Sequence, residues 1–263
     1  FMDMKKKLIS KAQNPRYISG IYNYCDRWCA RCIFTSSCLN YDRSEKEFGD
    51  LKARDLNNKE FFEKLHKTFQ QTKEMITEMA EEIGVDLNSL DMAHDIENER
   101  KKREEIKQHE LSKAADKYSK MAATWLENEQ TLFIDKQESL NALQKIGVDE
   151  GKLINEAESI NYALEVIRWY QHQIYVKIMR ALNHDGETKE DEAFPKDSDG
   201  SAKVALIGMD RTIGAWGKLL ELFPEKTNGI LDILVYLDRL RRRTVQTFPD
   251  ALSFVRPGFD TQN

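Results

Sequence analysis

Four cysteines, Cys25, Cys29, Cys32 and Cys38, fall within 14 residues, and the 225 residues that follow contain none. Their spacing is Cys-x3-Cys-x2-Cys-x5-Cys, set among Tyr22, Tyr24, Trp28, Phe34 and Tyr41. Four soft donors in so short a loop can converge on one metal centre, because thiolates bind zinc tetrahedrally or hold the irons of an iron-sulfur cluster. Two local disulfides, or reduced cysteines that merely pack, are the competing readings. Secreted chains usually spread their cysteines to staple distant segments, and no apolar signal core follows Lys5, Lys6 and Lys7. A cytoplasmic location with reduced thiols is therefore expected.

The choice of metal rests on the gaps. Only Cys29 and Cys32 form the two-residue knuckle common in structural zinc sites, although in density the loop resembles the zinc lobe of medium-chain alcohol dehydrogenases. Cys25-x3-Cys29-x2-Cys32 resembles the triad of radical S-adenosylmethionine enzymes, in which three cysteines leave one iron open. This chain departs from that family: it has no parallel-strand pattern, has Arg31 where an aromatic residue commonly precedes the third cysteine, and adds Cys38. Cys29-x2-Cys32-x5-Cys38 resembles the end of the cluster loop in helical iron-sulfur DNA glycosylases of the endonuclease III class. Their first gap is longer, and no helix-hairpin-helix glycine motif or catalytic-lysine context accompanies it here. The resemblance thus implies only that such spacing can ligate a cube. A [4Fe-4S] cluster is the leading expectation and Zn2+ the alternative. Arg27, Arg31 and Arg43 flank the loop; Arg27 and Arg31 are expected to offset the negative charge of a four-thiolate centre.

Weaker candidates lie elsewhere. Glu63-x-x-His66 and Asp91-x-x-His94 echo the short motif of ferritin-like di-iron bundles, without the remaining ligands. Glu158, Asn161, Glu165, Arg168 and His172 share one side of a helix, and Asp210 and Asp238 could approach Glu165 and His172 as a catalytic or second metal site. A salt-bridged polar face is the commoner explanation. Arg239, Arg241, Arg242 and Arg243 form a basic patch near a helix end, where the helix dipole favours cations. No phosphate loop, dinucleotide fingerprint or nucleophile elbow occurs.

These residues need a scaffold, and the pattern predicts an all-α one. No proline interrupts the 179 residues between Pro15 and Pro195, and the apolar positions there follow helical periodicity. Phe62, Leu65, Phe69, Thr72, Ile76, Met79 and Ile83 predict a helix over about 58–83 with a buried stripe, stopped by Gly84. Asn88 or Ser89 is a candidate cap for the next segment, and 89–146 reads as one helix or two. Leu153, Ala157, Ile160, Leu164, Ile167, Ile174 and Ile178 mark the clearest stripe, ending near Asn183. Helices over about 201–223 and 228–247 close at the Phe-Pro pairs of Pro224 and Pro249.

The expected organisation is a cysteine-rich metal-binding segment over 1–45, a bundle of five or six helices over 46–250, and an irregular tail over 251–263. Residues 185–200 read as a mobile acidic connector, with seven acidic residues between Asp185 and Asp199. With 263 residues and 40% hydrophobic content the chain can bury a core, and no apolar run is long enough to cross a bilayer. The net charge of -5 argues against a protein that coats nucleic acid by charge alone, leaving nucleic acid a possible but unfavoured partner and a protein partner the expected one. The functions this permits are redox sensing, electron transfer or structural support by a metal centre. A zinc-stabilised interaction protein is the alternative, and a helical-bundle metalloenzyme a weaker one.

Overall fold

The computed structural model describes residues 10–11, 13–50, 55, 58–87, 92–183 and 196–260, and among these no strand occurs. Eight helices of ten residues or more are described: α1 (Leu39–Phe48), α2 (Lys59–Glu82), α3 (Met92–Gln108), α4 (Glu110–Asn128), α5 (Gln130–Lys145), α6 (Glu150–Asn183), α7 (Asp197–Leu222) and α8 (Thr227–Thr247). The chain forms two compact units, Phe1–Glu99 with Arg256–Asn263, and Arg100–Val255.

The helix count exceeds the five or six expected for two local reasons. Residues 92–145 divide into three helices, because His109 leaves helical geometry and its Nδ1 accepts the N–H of Leu111 at 3.2 Å, and because the chain breaks again at Glu129. In addition, α1 begins directly after Cys38, inside the segment read as irregular. The candidate caps Asn88 and Ser89 lie outside the described residues, as does Asp91.

In the second unit, α6 and α7 form the central pair, flanked by α4, α5 and α8. The stripe read on α6 is the core stripe: Leu153, Ile160, Leu164, Ile167, Ile174 and Ile178 are buried. Burial of each such side chain contributes about 1.5–3 kcal/mol. Small residues on α7 let the pair close up; a Cβ at Gly208 would stand 2.9 Å from the Tyr170 ring. Beside them Trp216 is buried, donates its indole N–H to the Tyr118 hydroxyl at 3.3 Å, and meets Trp125 edge-on at 5.0 Å. The last residues of the expected connector belong to this core. Positions 197–200 form the first turn of α7, where Ser198 and Asp199 are buried and Asp197 pairs with Arg180 at 2.6 Å. Residues 184–195 lie outside the described residues. Beyond α8, Ala251 and Phe254 are buried.

In the first unit, α2 starts at Asn58, whose side chain accepts the N–H of Glu60, and stops at Gly84, which takes a left-handed φ of 72°. Its apolar stripe is not buried as expected. Phe62, Phe69, Ile76, Met79 and Ile83 are all exposed, Phe69 at 65% and Ile83 at 75%. Amphipathic spacing shows that a helix has an apolar face; it does not show that the same chain covers it.

Candidate metal centre

The cysteine loop is built from short turns rather than from regular helix. Asp26 opens it: its Oδ1 accepts the N–H of Trp28 at 3.1 Å, a local turn that competes with helix. Next to it Arg27 has φ 55°, the single non-glycine residue with positive φ among the described residues. Side chains enter that region at a cost, so the turn is held by its surroundings. A 3-10 turn over Cys29–Arg31 then carries the chain into Cys32, and a second over Thr35–Ser37 into Cys38, the residue preceding α1. Two contacts from upstream fix the second turn: the Ile18 N–H donates to the Ser37 carbonyl at 3.0 Å and Arg16 Nε to the Ser36 carbonyl at 3.1 Å.

These turns bring all four cysteines to the wall of one cavity of about 30 Å3, which Tyr22, Trp28, Phe34, Tyr41 and Phe259 also line. No disulfide joins them. The Cys25 thiol donates to the Tyr22 carbonyl at 3.5 Å, and Cys32 Sγ accepts the backbone N–H of Phe34 at 3.4 Å. A backbone donor aimed at sulfur is a contact that a metal-bound thiolate also accepts. Burial pushes the Cys29 thiol up, and the negative charges of Cys25, Cys32, Cys38 and Asp26 push it further in the same direction. The four sulfurs thus feel one another, and a cation taking up their charge would remove that repulsion.

Among the described residues no three His, Cys, Asp or Glu side chains stand close enough to grip a bare ion. Around tetrahedral zinc, with sulfur at about 2.3 Å, the sulfurs would be about 3.8 Å apart. The cysteines therefore share a cavity without being drawn to that distance. Two guests come into question for such a donor set, one zinc ion or an iron-sulfur cube. The donor chemistry, four thiols inside an aromatic wall, fits either.

The predicted flanking arginines divide. Arg27 lines the cavity, whereas Arg31 lies over the Trp28 ring at 4.9 Å, and Arg43 reaches Glu47 at 4.0 Å. Phe259 had no signal in the sequence. It meets Phe34 edge-on at 5.0 Å and carries the Arg256 guanidinium over its ring at 4.8 Å, with Arg256 held by Asp260 at 2.9 Å. Gly258, at φ 76°, allows this tail to approach; a Cβ there would stand 3.0 Å from Ile21.

The weaker candidates are held separately. His172 Nδ1 lies 2.8 Å from the hydroxyl of buried Ser119, Asp210 pairs with Arg241 at 2.5 Å, and Asp238 pairs with Arg242 at 2.9 Å. His66 is exposed on α2 beside Glu63, which meets Lys59 at 3.3 Å. Comparison of the chain with known protein families, with curated proteins and with solved structures finds no match.

Proposed function

We propose that this all-helical protein carries one metal centre on Cys25, Cys29, Cys32 and Cys38, a [4Fe-4S] cluster used for redox sensing, electron transfer or structural support in a reducing compartment. One observation carries the reading: every cysteine of the chain lines the same cavity. Such clustering has no packing rationale. A bound cluster would supply one-electron chemistry; the chain would supply thiolates, the Phe34 N–H to Cys32 sulfur, and a wall of aromatic rings that limits water and so tunes the potential. Arg27, at the cavity edge, would offset part of the centre's charge.

A second reading, a zinc-stabilised interaction protein with the same four ligands, rests on the Cys29-x2-Cys32 knuckle. Anaerobic purification separates them. Brown protein with broad visible absorbance, iron and acid-labile sulfide supports the cluster; colourless protein with one zinc per chain supports the alternative. Metal-free protein from that preparation would overturn both.

A further inference from the structure

We infer that the seam between α4 and α8 is a binding surface for single-stranded nucleic acid, a role beyond the proposed metal centre and built wholly from residues of the second unit. Two contacts fix the seam. Lys117 Nζ lies 5.2 Å from the centre of the Tyr236 ring, and a Cβ at Gly229 would meet the Trp125 indole at 3.2 Å. As α4 runs back from 125 to 117, α8 runs forward from 229 to 236, so the two helices are antiparallel. Continuing in the same sense, Lys113 lies one turn before Lys117, and Arg239 and Arg243 lie one and two turns beyond Tyr236. Burial raises the Tyr236 phenol, and the charge of Arg243 acts against that rise.

What marks these cations is that they are left over. Nearby charges are matched: Arg241 by Asp210, Arg242 by Asp238, and Lys120 by Asp116. Lys113, Lys117, Arg239 and Arg243 are exposed and enter no ion pair among the described residues. The carboxylates on the same faces are Glu110, a turn before Lys113, and Asp232, a turn before Tyr236; four positive charges face two negative ones. The helix dipole accounts for little of this. Lys113 stands in the first turn of α4, where a cation is disfavoured, and Arg239 lies in the interior of α8.

The arrangement selects the ligand. A single phosphate calls for donors that converge on one point, whereas these cations are strung along two helices at intervals of about 6 Å per four residues. That geometry matches a chain of phosphates. Tyr236, partly exposed between the two rows, carries the flexible Lys117 ammonium over its ring, and an unpaired base that displaces this ammonium can stack there, which a duplex cannot supply.

The test uses the full chain and short fluorescently labelled single-stranded DNA and RNA, with binding followed by anisotropy from about 50 to 200 mM salt. Four phosphate contacts predict a log-log salt slope of about -3. The double variant Arg239→Glu/Arg243→Glu should bind at least about tenfold more weakly with a shallower slope, and Lys113→Glu/Lys117→Glu should do the same. Tyr236→Ala should weaken binding about tenfold with the slope unchanged. Absence of binding at low salt would overturn the inference, as would equal binding by either charge-reversed variant with helix content intact. Competition by dextran sulfate or anionic vesicles as effective as by unlabelled oligonucleotide would also overturn it, assigning the seam to polyanions or membranes in general.

Discussion

Helices α2 and α6 carry equally regular apolar stripes, and their fates differ. On α6 the stripe from Leu153 to Ile178 is buried against α4 and α7, whereas on α2 the residues Phe62, Phe69, Ile76 and Ile83 stand exposed. Periodicity is a property of one segment, while burial depends on complementary surface elsewhere in the chain. Helix α7 supplies that surface through Gly208, Ala202, Ala205 and other small residues; none of the described residues buries the exposed stripe of α2. Stability should therefore be concentrated in the second unit.

Substitutions can break or sharpen this contrast. The largest effect is expected from Trp216→Ala, which removes a buried ring, its contact with Trp125 and its bond to Tyr118; a loss of about 3–5 kcal/mol should appear in denaturant unfolding of the second unit. Gly208→Ala should cost less, about 1–3 kcal/mol, since the new Cβ meets the Tyr170 ring in a packed interface. An unchanged midpoint would mean that α6 and α7 are not packed this closely. His172→Ala leaves the buried Ser119 hydroxyl without its imidazole partner and should lower stability by about 1 kcal/mol. Metal content should be untouched by that change, and a loss of metal would revive a site on the Glu165/His172 face. Phe69→Ala on α2 should shift stability by less than about 0.5 kcal/mol, because the ring is already in water. A large loss there would show that the stripe is covered after all.

Much of the scaffold could be read from one-dimensional patterns. The extent of α2 follows from its apolar stripe and Gly84, that of α6 from its stripe, and the end of α8 from the Phe-Pro pair at Pro249, all local signals. Helix α7 starts at Asp197, four residues before the expected 201; by composition Asp197, Ser198 and Asp199 look like connector residues. Their role is set by contacts such as Arg180 with Asp197, which no local pattern records. The site divides in the same way. The cysteines and the aromatic residues around them were legible because all lie within one short segment. Phe259 reaches the cavity from the C-terminal tail, and the left-handed turn at Arg27 is not dictated by its residue type.

The central claim is that four sulfurs surround a single metal centre. X-ray absorption at the metal edge of anaerobically prepared protein tests it most directly, since the spectrum counts the neighbours of the metal. The account predicts an all-sulfur shell at about 2.3 Å, with an added iron-iron distance if the guest is a cluster, and loss of that signal in Cys25→Ser and Cys38→Ser. A shell containing nitrogen or oxygen donors from the protein, or the same signal surviving both substitutions, would contradict it.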